Sequence, residues 1–192
     1  MADVYLIGLN HFLQDVERQL ATEQARASEQ QQREAFASRL DELQRQLGFQ
    51  LVAEEAKLDR ESFTFQRIQK WGVRYHNATM SRDERERLGI VGYENDPQLR
   101  EKALKQFEEH MFAGIRAVRE DATHILVICG GDHLSGLAEM FNRNGDRVTM
   151  EDVREAEWYR GFAVESAGRN GVQFVGNARD DREVLDLMMG QN

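Results

Sequence analysis

The chain is poor in residues that cross-link or break a fold. Its single cysteine, Cys129, excludes an internal disulfide and a cysteine-based zinc cluster. Cys129 ends the apolar run Ile125-Leu126-Val127-Ile128-Cys129 and reads as a small core residue rather than a nucleophile. That run is the longest, strand-sized and far short of the roughly 18 residues a membrane span needs. Positive charge is scarce: 25 Lys and Arg face 34 Asp and Glu, for a net charge of −9. The basic residues are dispersed, with no arginine-rich stripe among aromatics, which argues against nucleic acid or an anionic membrane as principal partner. Met1-Ala2-Asp3 begins neither a basic segment nor the long apolar core of a signal peptide, so a cytoplasmic protein is expected.

Hydrophobic residues make up 41% of the 192 and charged residues 31%, enough for one soluble domain spanning 1–192 with a real core. Apolar strand-like runs alternate with helical patterns, predicting an α/β fold: a mostly parallel sheet flanked by helices. Strands are expected at 3–9, 49–53, 73–78, 124–129, near Val148 and at 172–175. A long Gln/Glu-rich helix is expected from Phe12 to Leu47, closed by Gly48, with its polar middle (Thr22 to Glu34) solvated. A helix of that length could also pair with a second copy. Further helices are expected at 60–71, from the capping-box sequence Ser81-Arg82-Asp83-Glu84, from Asn95-Asp96-Pro97 to about Arg119, and at 134–142. Residues 151–167 and 180–189 complete the helical set. On the 97–119 helix, Leu104, Phe107, Met111, Ile115 and Val118 form one apolar stripe, with Arg100 on it and Glu108 at its margin.

Two segments repeat one pattern: Gly8-Leu9-Asn10-His11 and Gly130-Gly131-Asp132-His133. Each follows a buried-type strand and leads into a helical pattern. In an open α/β sheet, ligands bind at the carboxyl ends of strands, so His11 and His133 are expected to meet in one crevice. Gly8 would let the backbone come close to a ligand. Glu54 and Glu55, at the end of the second strand, offer a general base. They could instead complete a metal set with His11, Asp132 and His133, suited to a divalent zinc, manganese or iron ion. An unpaired buried guanidinium is costly, so Arg100, on an apolar stripe, either runs its stem along the helix to water or pairs with an inward carboxylate such as Glu54 or Glu55, and pairing is the expectation. Glu108, Glu109 and His110 read as a solvated helix face, and His76 and His124 as structural. Gly130-Gly131 is a weak phosphate-cradle signal, since the P-loop lysine and hydroxyl are missing.

A first strand ending Gly-x-x-His, a second ending in glutamate and a later strand ending Cys-Gly-x-x-His resemble the erythromycin esterase/ChaN/TraB superfamily. The helix bearing Phe107-Glu108-Glu109-His110-Met111 falls in the same order. The likeness runs from about residue 4 to residue 141, and the final fifty residues carry no motif of it. The resemblance implies an α/β domain with its site at the strand ends, and activities that include macrolide-ester hydrolysis, metal-dependent proteolysis and haem binding. It implies His11 as the first-motif histidine, Glu54 or Glu55 as the second-strand acid and His133 as the last-motif histidine. The chain departs in its small size and its Gln/Glu-rich segment. Lacking a secretion signal and an extra helical domain, it argues against haem uptake and against a macrolide substrate.

Three functions remain open on these residues. One is a small hydrolase of a small-molecule or peptide substrate: His11 or a glutamate activates water, and His133 and Arg100 stabilise negative charge, with or without a metal. A second is a non-catalytic module that binds or senses a small ligand in the same crevice. The third is an assembly protein whose long helix forms an interface.

Overall fold

The computed structural model describes residues 1–14, 19–56, 61–93, 96–168, 171–179 and 181–189. Five strands form one sheet: β1 (Asp3–Leu9), β2 (Leu51–Glu54), β3 (Arg74–Asn77), β4 (His124–Gly130) and β5 (Arg147–Asp152). Their order is β3-β2-β4-β1-β5 and every pairing is parallel. The intervening helices are α1 (Glu23–Leu47), α2 (Phe63–Ile68), α3 (Arg82–Leu88), α4 (Pro97–Val118) and α5 (Leu134–Arg143). An antiparallel hairpin, β6 (Phe162–Gly168) with β7 (Gly171–Ala178), and the helix α6 (Asp181–Met189) follow. The expected α/β architecture, with a long helix after the first strand, is what the chain adopts.

The sheet is buried on both faces, as continuous apolar strands require. Leu6, Leu51, Ile125 and Val127 pack against Met111 and Ile115 of α4 and Leu137 and Phe141 of α5. Ile7, Val52, Leu126 and Ile128 pack against Phe36, Leu40 and Leu43 of α1 and Ile68 of α2. The topology explains the division. From β1 to β3 the strand order runs one way, and from β3 to β5 it runs back. Right-handed crossovers then place α1 and α2 on one face and α4 and α5 on the other. Strand β4 sits between β1 and β2, yet the chain leaves β4 toward α5 while it leaves β1 and β2 toward the opposite face. A crevice must open at their carboxyl ends.

Local signals account for the helix starts. The Asp96 carboxylate accepts from the Gln98 and Leu99 N–H groups ahead of Pro97; Asn95 lies outside the described residues. Ser81 and Glu84 form a complete capping box at α3. No described helix is long and apolar enough to cross a membrane.

Three expectations about elements need correction. The long helix does not begin at Phe12. A short 3-10 turn spans His11–Leu13, and α1 starts after Thr22, whose hydroxyl accepts from the Ala25 N–H. Its polar middle is helical and solvated over Glu23, Gln24, Arg26, Gln30, Gln31 and Glu34, as expected, but not throughout, because Glu29 and Gln32 are buried. Glu29 accepts from the Ala163 N–H at 3.1 Å. Gln32 donates to the Gly161 carbonyl at 2.9 Å and accepts from the Arg160 N–H at 2.8 Å. These side chains bond backbone groups at and just before the start of β6, where Asn177 Nδ2 also donates to the Gly161 carbonyl. The helix expected over 151–167 is also absent. Strand β5 runs to Asp152, a 3-10 turn takes Val153–Glu155, and β6 begins at Phe162. Val153 and Tyr159 plug the α1-side core from a turn and a coil. Gly161, at φ 87°, takes a conformation no α-helix holds.

Candidate active site

The site forms where β1, β2 and β4 end. Residues after these strands line a cleft of about 370 Å³: His11, Glu55, Gly130 and His133. The Glu55 carboxylate lies between the two imidazoles, Oε1 3.6 Å from His133 Nε2 and Oε2 3.9 Å from His11 Nε2. The Gly130 N–H donates to Glu55 Oε2 at 2.9 Å, fixing the carboxylate against the end of β4. Burial works to raise the Glu55 pKa. The nearby His133 and His11 imidazoles and the Gly130 amide outweigh it and bring the value down to about 2. Glu55 is therefore an ionised anchor and is too weak a base to take a proton from water near neutrality.

The two histidines differ. His133 is buried, and its other nitrogen, Nδ1, faces Glu108 Oε1 at 3.7 Å, too long for a good hydrogen bond. Burial alone would lower its pKa, but Glu55 and Glu108 together raise it above the usual imidazole value, favouring the cation. His11 has a side chain 56% exposed. Its Nδ1 lies 2.8 Å from Gln14 Oε1. The Gln14 amide is oriented by its Nε2, which donates to Glu54 Oε1 at 2.7 Å and to the Glu55 carbonyl at 2.9 Å. Both are acceptors only, so the Gln14 oxygen must face His11, and His11 Nδ1 must be the donor. In the neutral ring, Nε2 then carries the lone pair and faces the cleft. Gln14 thus sets the tautomer of a basic imidazole.

The strand-two acids divide as their alternation requires. Glu55 enters the cleft, whereas Glu54 is fully buried behind it. Glu54 accepts from Ser62 Oγ at 2.6 Å and Tyr75 Oη at 2.8 Å as well as from Gln14. Its part in the site is to hold Gln14.

Three further site expectations are corrected by position. Arg100 pairs with neither Glu54 nor Glu55; its guanidinium is 67% exposed and stands 3.7 Å from Asp132. Its stem follows the surface, which removes the cost of burial. Asp132 faces Arg154 and Arg100 instead, accepting from Arg154 Nη1 at 3.2 Å. Among the described residues, no group of three or more His, Cys, Asp or Glu side chains is arranged to hold a metal ion. Gly8 leaves no room for a ligand, since a Cβ there would overlap the Leu134 side chain.

Glu108 was expected on a solvated face, yet it is buried beside His133. Burial raises its carboxyl pKa, and His133 only partly offsets this. The space comes from α5: a Cβ on Gly136 would overlap the Glu108 carboxylate. Residues not singled out in the sequence also line or build the site: Gln14, Arg85, Arg154 and Arg179. Gln14 had one available signal, its spacing of three from His11. Cys129, as expected, is wholly buried, and burial pushes its thiol pKa well up. No protein-family profile, curated protein or solved structure matches the chain.

Proposed function

We propose that the chain is a small hydrolase acting at the carboxyl edge of its sheet, with His11 as the general base. The observation that carries this reading is the placement of one ionised carboxylate, Glu55, between two imidazoles, one exposed and one buried, in a single cleft. His11 Nε2 takes a proton from water as the water oxygen bonds to the substrate's acyl carbon. Glu55 steadies the imidazolium that forms. His133, biased toward its cation, faces the negative charge that develops and returns a proton to the leaving group as its bond to carbon breaks. The resemblance to the erythromycin esterase/ChaN/TraB superfamily supports the same assignment. Every step here uses side chains alone.

The test is hydrolysis of a panel of 4-nitrophenyl esters by the wild type, His11→Ala, His133→Ala and Glu55→Gln. General acid–base residues of this kind contribute about 10²- to 10⁴-fold, so each variant should lose at least about 10²-fold. Wild-type turnover that survives His11→Ala unchanged overturns the assignment. Ligand-induced stabilisation with no turnover across the panel replaces the hydrolase with a binding module.

A further inference from the structure

The charge of the cleft runs against that of the chain. The protein carries a net −9, yet four arginines line this cleft, Arg85, Arg100, Arg154 and Arg179, against the carboxylates of Glu55 and Asp132. Two of the four are neutralised locally. Arg154 is clamped by Asp152 through Nε at 2.9 Å and Nη2 at 2.7 Å, and Asp132 lies against both Arg154 and Arg100. The other two have no carboxylate partner among the described residues. Arg85 Nε is buried with no hydrogen-bond partner there, and Arg179 Nη2 donates only to the Tyr159 carbonyl at 3.2 Å. Leaving a buried guanidinium N–H unpaired costs stability and is expected where a ligand supplies the acceptor.

The same cleft has an apolar wall. Tyr93, Leu104 and Phe107 line it. The Tyr93 and Phe107 rings meet edge to face at 5.3 Å, and Phe107 meets the His133 ring at 6.2 Å. The aromatic surface therefore runs up to the proposed reacting group. The cleft thus sets an apolar wall opposite convergent polar and charged side chains, so a ligand that suits it carries both characters.

We propose that the cleft takes a small ligand with an aromatic or apolar body and an anionic group, a carboxylate or a phosphate monoester, held by Arg85 and Arg179. Guanidinium is the side chain best matched to either oxyanion, because its planar fork can donate two parallel hydrogen bonds. The inference rests on the hydrolase reading only for calling this ligand a substrate; the binding itself stands apart from turnover.

The experiment follows thermal stabilisation and calorimetric binding of three probes at low salt: phenyl phosphate, benzoate and the uncharged benzyl alcohol. Phenyl phosphate or benzoate should stabilise the wild type and benzyl alcohol should not; which anion binds more tightly identifies the preferred headgroup. Arg85→Gln and Arg179→Gln should each weaken anion binding at least tenfold, while Arg143→Gln, on an exposed helix surface, should leave it unchanged. Melting of each variant without ligand separates lost binding from lost folding. If Arg85→Gln does not fold, Arg179→Gln with the salt dependence of wild-type binding decides the case. Equal response to all three probes, or anion binding indifferent to both variants, overturns the proposal. Anion binding by a wild type that hydrolyses none of the esters, or whose turnover survives His11→Ala, refutes the hydrolase and leaves the anion site standing.

Discussion

Glu55→Gln is the most informative single change, because it preserves the shape of the side chain and removes its charge. Folding lowers the Glu55 pKa from an ordinary 4.5 to about 2. At about 1.4 kcal/mol per pH unit, that interval corresponds to roughly 3 kcal/mol of stability linked to its ionisation. The side chain is only 19% exposed, so solvent screening removes little of this. For an acid whose pKa falls on folding, the contribution is complete above about pH 4.5 and disappears as pH drops toward 2. His133 behaves in the opposite sense. Its pKa rises on folding above 6.5, so its share is complete below pH 6.5 and fades as pH climbs through the folded value. These are two views of one Glu55–His133 interaction and are not added. The difference in unfolding free energy between wild type and Glu55→Gln should therefore peak between about pH 4.5 and 6.5, near 3 kcal/mol. It should shrink on both sides of that window. Urea unfolding at pH 3, 4, 5, 6 and 8, with m-values shown to be equal, measures it directly. A deficit that is the same at pH 3 and pH 6 refutes the electrostatic account of this site.

Other perturbations test separate parts of the structure. Gly136→Ala should gain about 1 kcal/mol of helix propensity and lose about 1–3 kcal/mol through overlap with Glu108. It should also lower the His133 pKa by displacing that carboxylate, which imidazole titration by NMR reads; an unmoved His133 titration would show that Glu108 has no hold on the ring. Gln32→Leu removes the acceptor of the Arg160 N–H and leaves the Gly161 carbonyl to Asn177 Nδ2 alone, and should cost about 0.5–1.5 kcal/mol in thermal or urea unfolding. Stability equal to wild type would mean that those backbone groups find other partners. Cys129, wholly buried with its thiol pKa pushed up, should react with iodoacetamide only once the protein unfolds, and labelling of the folded protein at the unfolded rate would contradict its place in the core.

What the sequence made legible was periodicity and punctuation. Continuous apolar runs marked β1 and β4, Gly48 and Pro97 marked helix ends, and the alternation of elements implied the parallel sheet on which His11 and His133 meet. The errors came where polarity was equated with solvent. Glu29 and Gln32 sit in a run of helix-forming polar residues, and nothing local reveals that a hairpin more than 120 residues later will present bare backbone groups to them. The partner of His133 was misjudged for a related reason. Asp132 is its neighbour in sequence, but both lie in the 3-10 turn Gly131–His133, where successive side chains point about 120° apart. A residue adjacent in such a turn cannot share its neighbour's face, so the acid beside His133 had to come from another element.

Helix geometry then selects which acid. Arg100 and Glu108 lie eight residues apart on α4, about 12 Å along its axis. The first turn of α4 therefore reaches the cleft rim, where Arg100 meets Asp132, while Glu108, two turns deeper, reaches His133 beneath it. The same helix thus supplies a charge to the mouth of the cleft and a second carboxylate to its floor. The only sequence sign of that arrangement is a glycine at position 136, in a helix that has no other reason to include one.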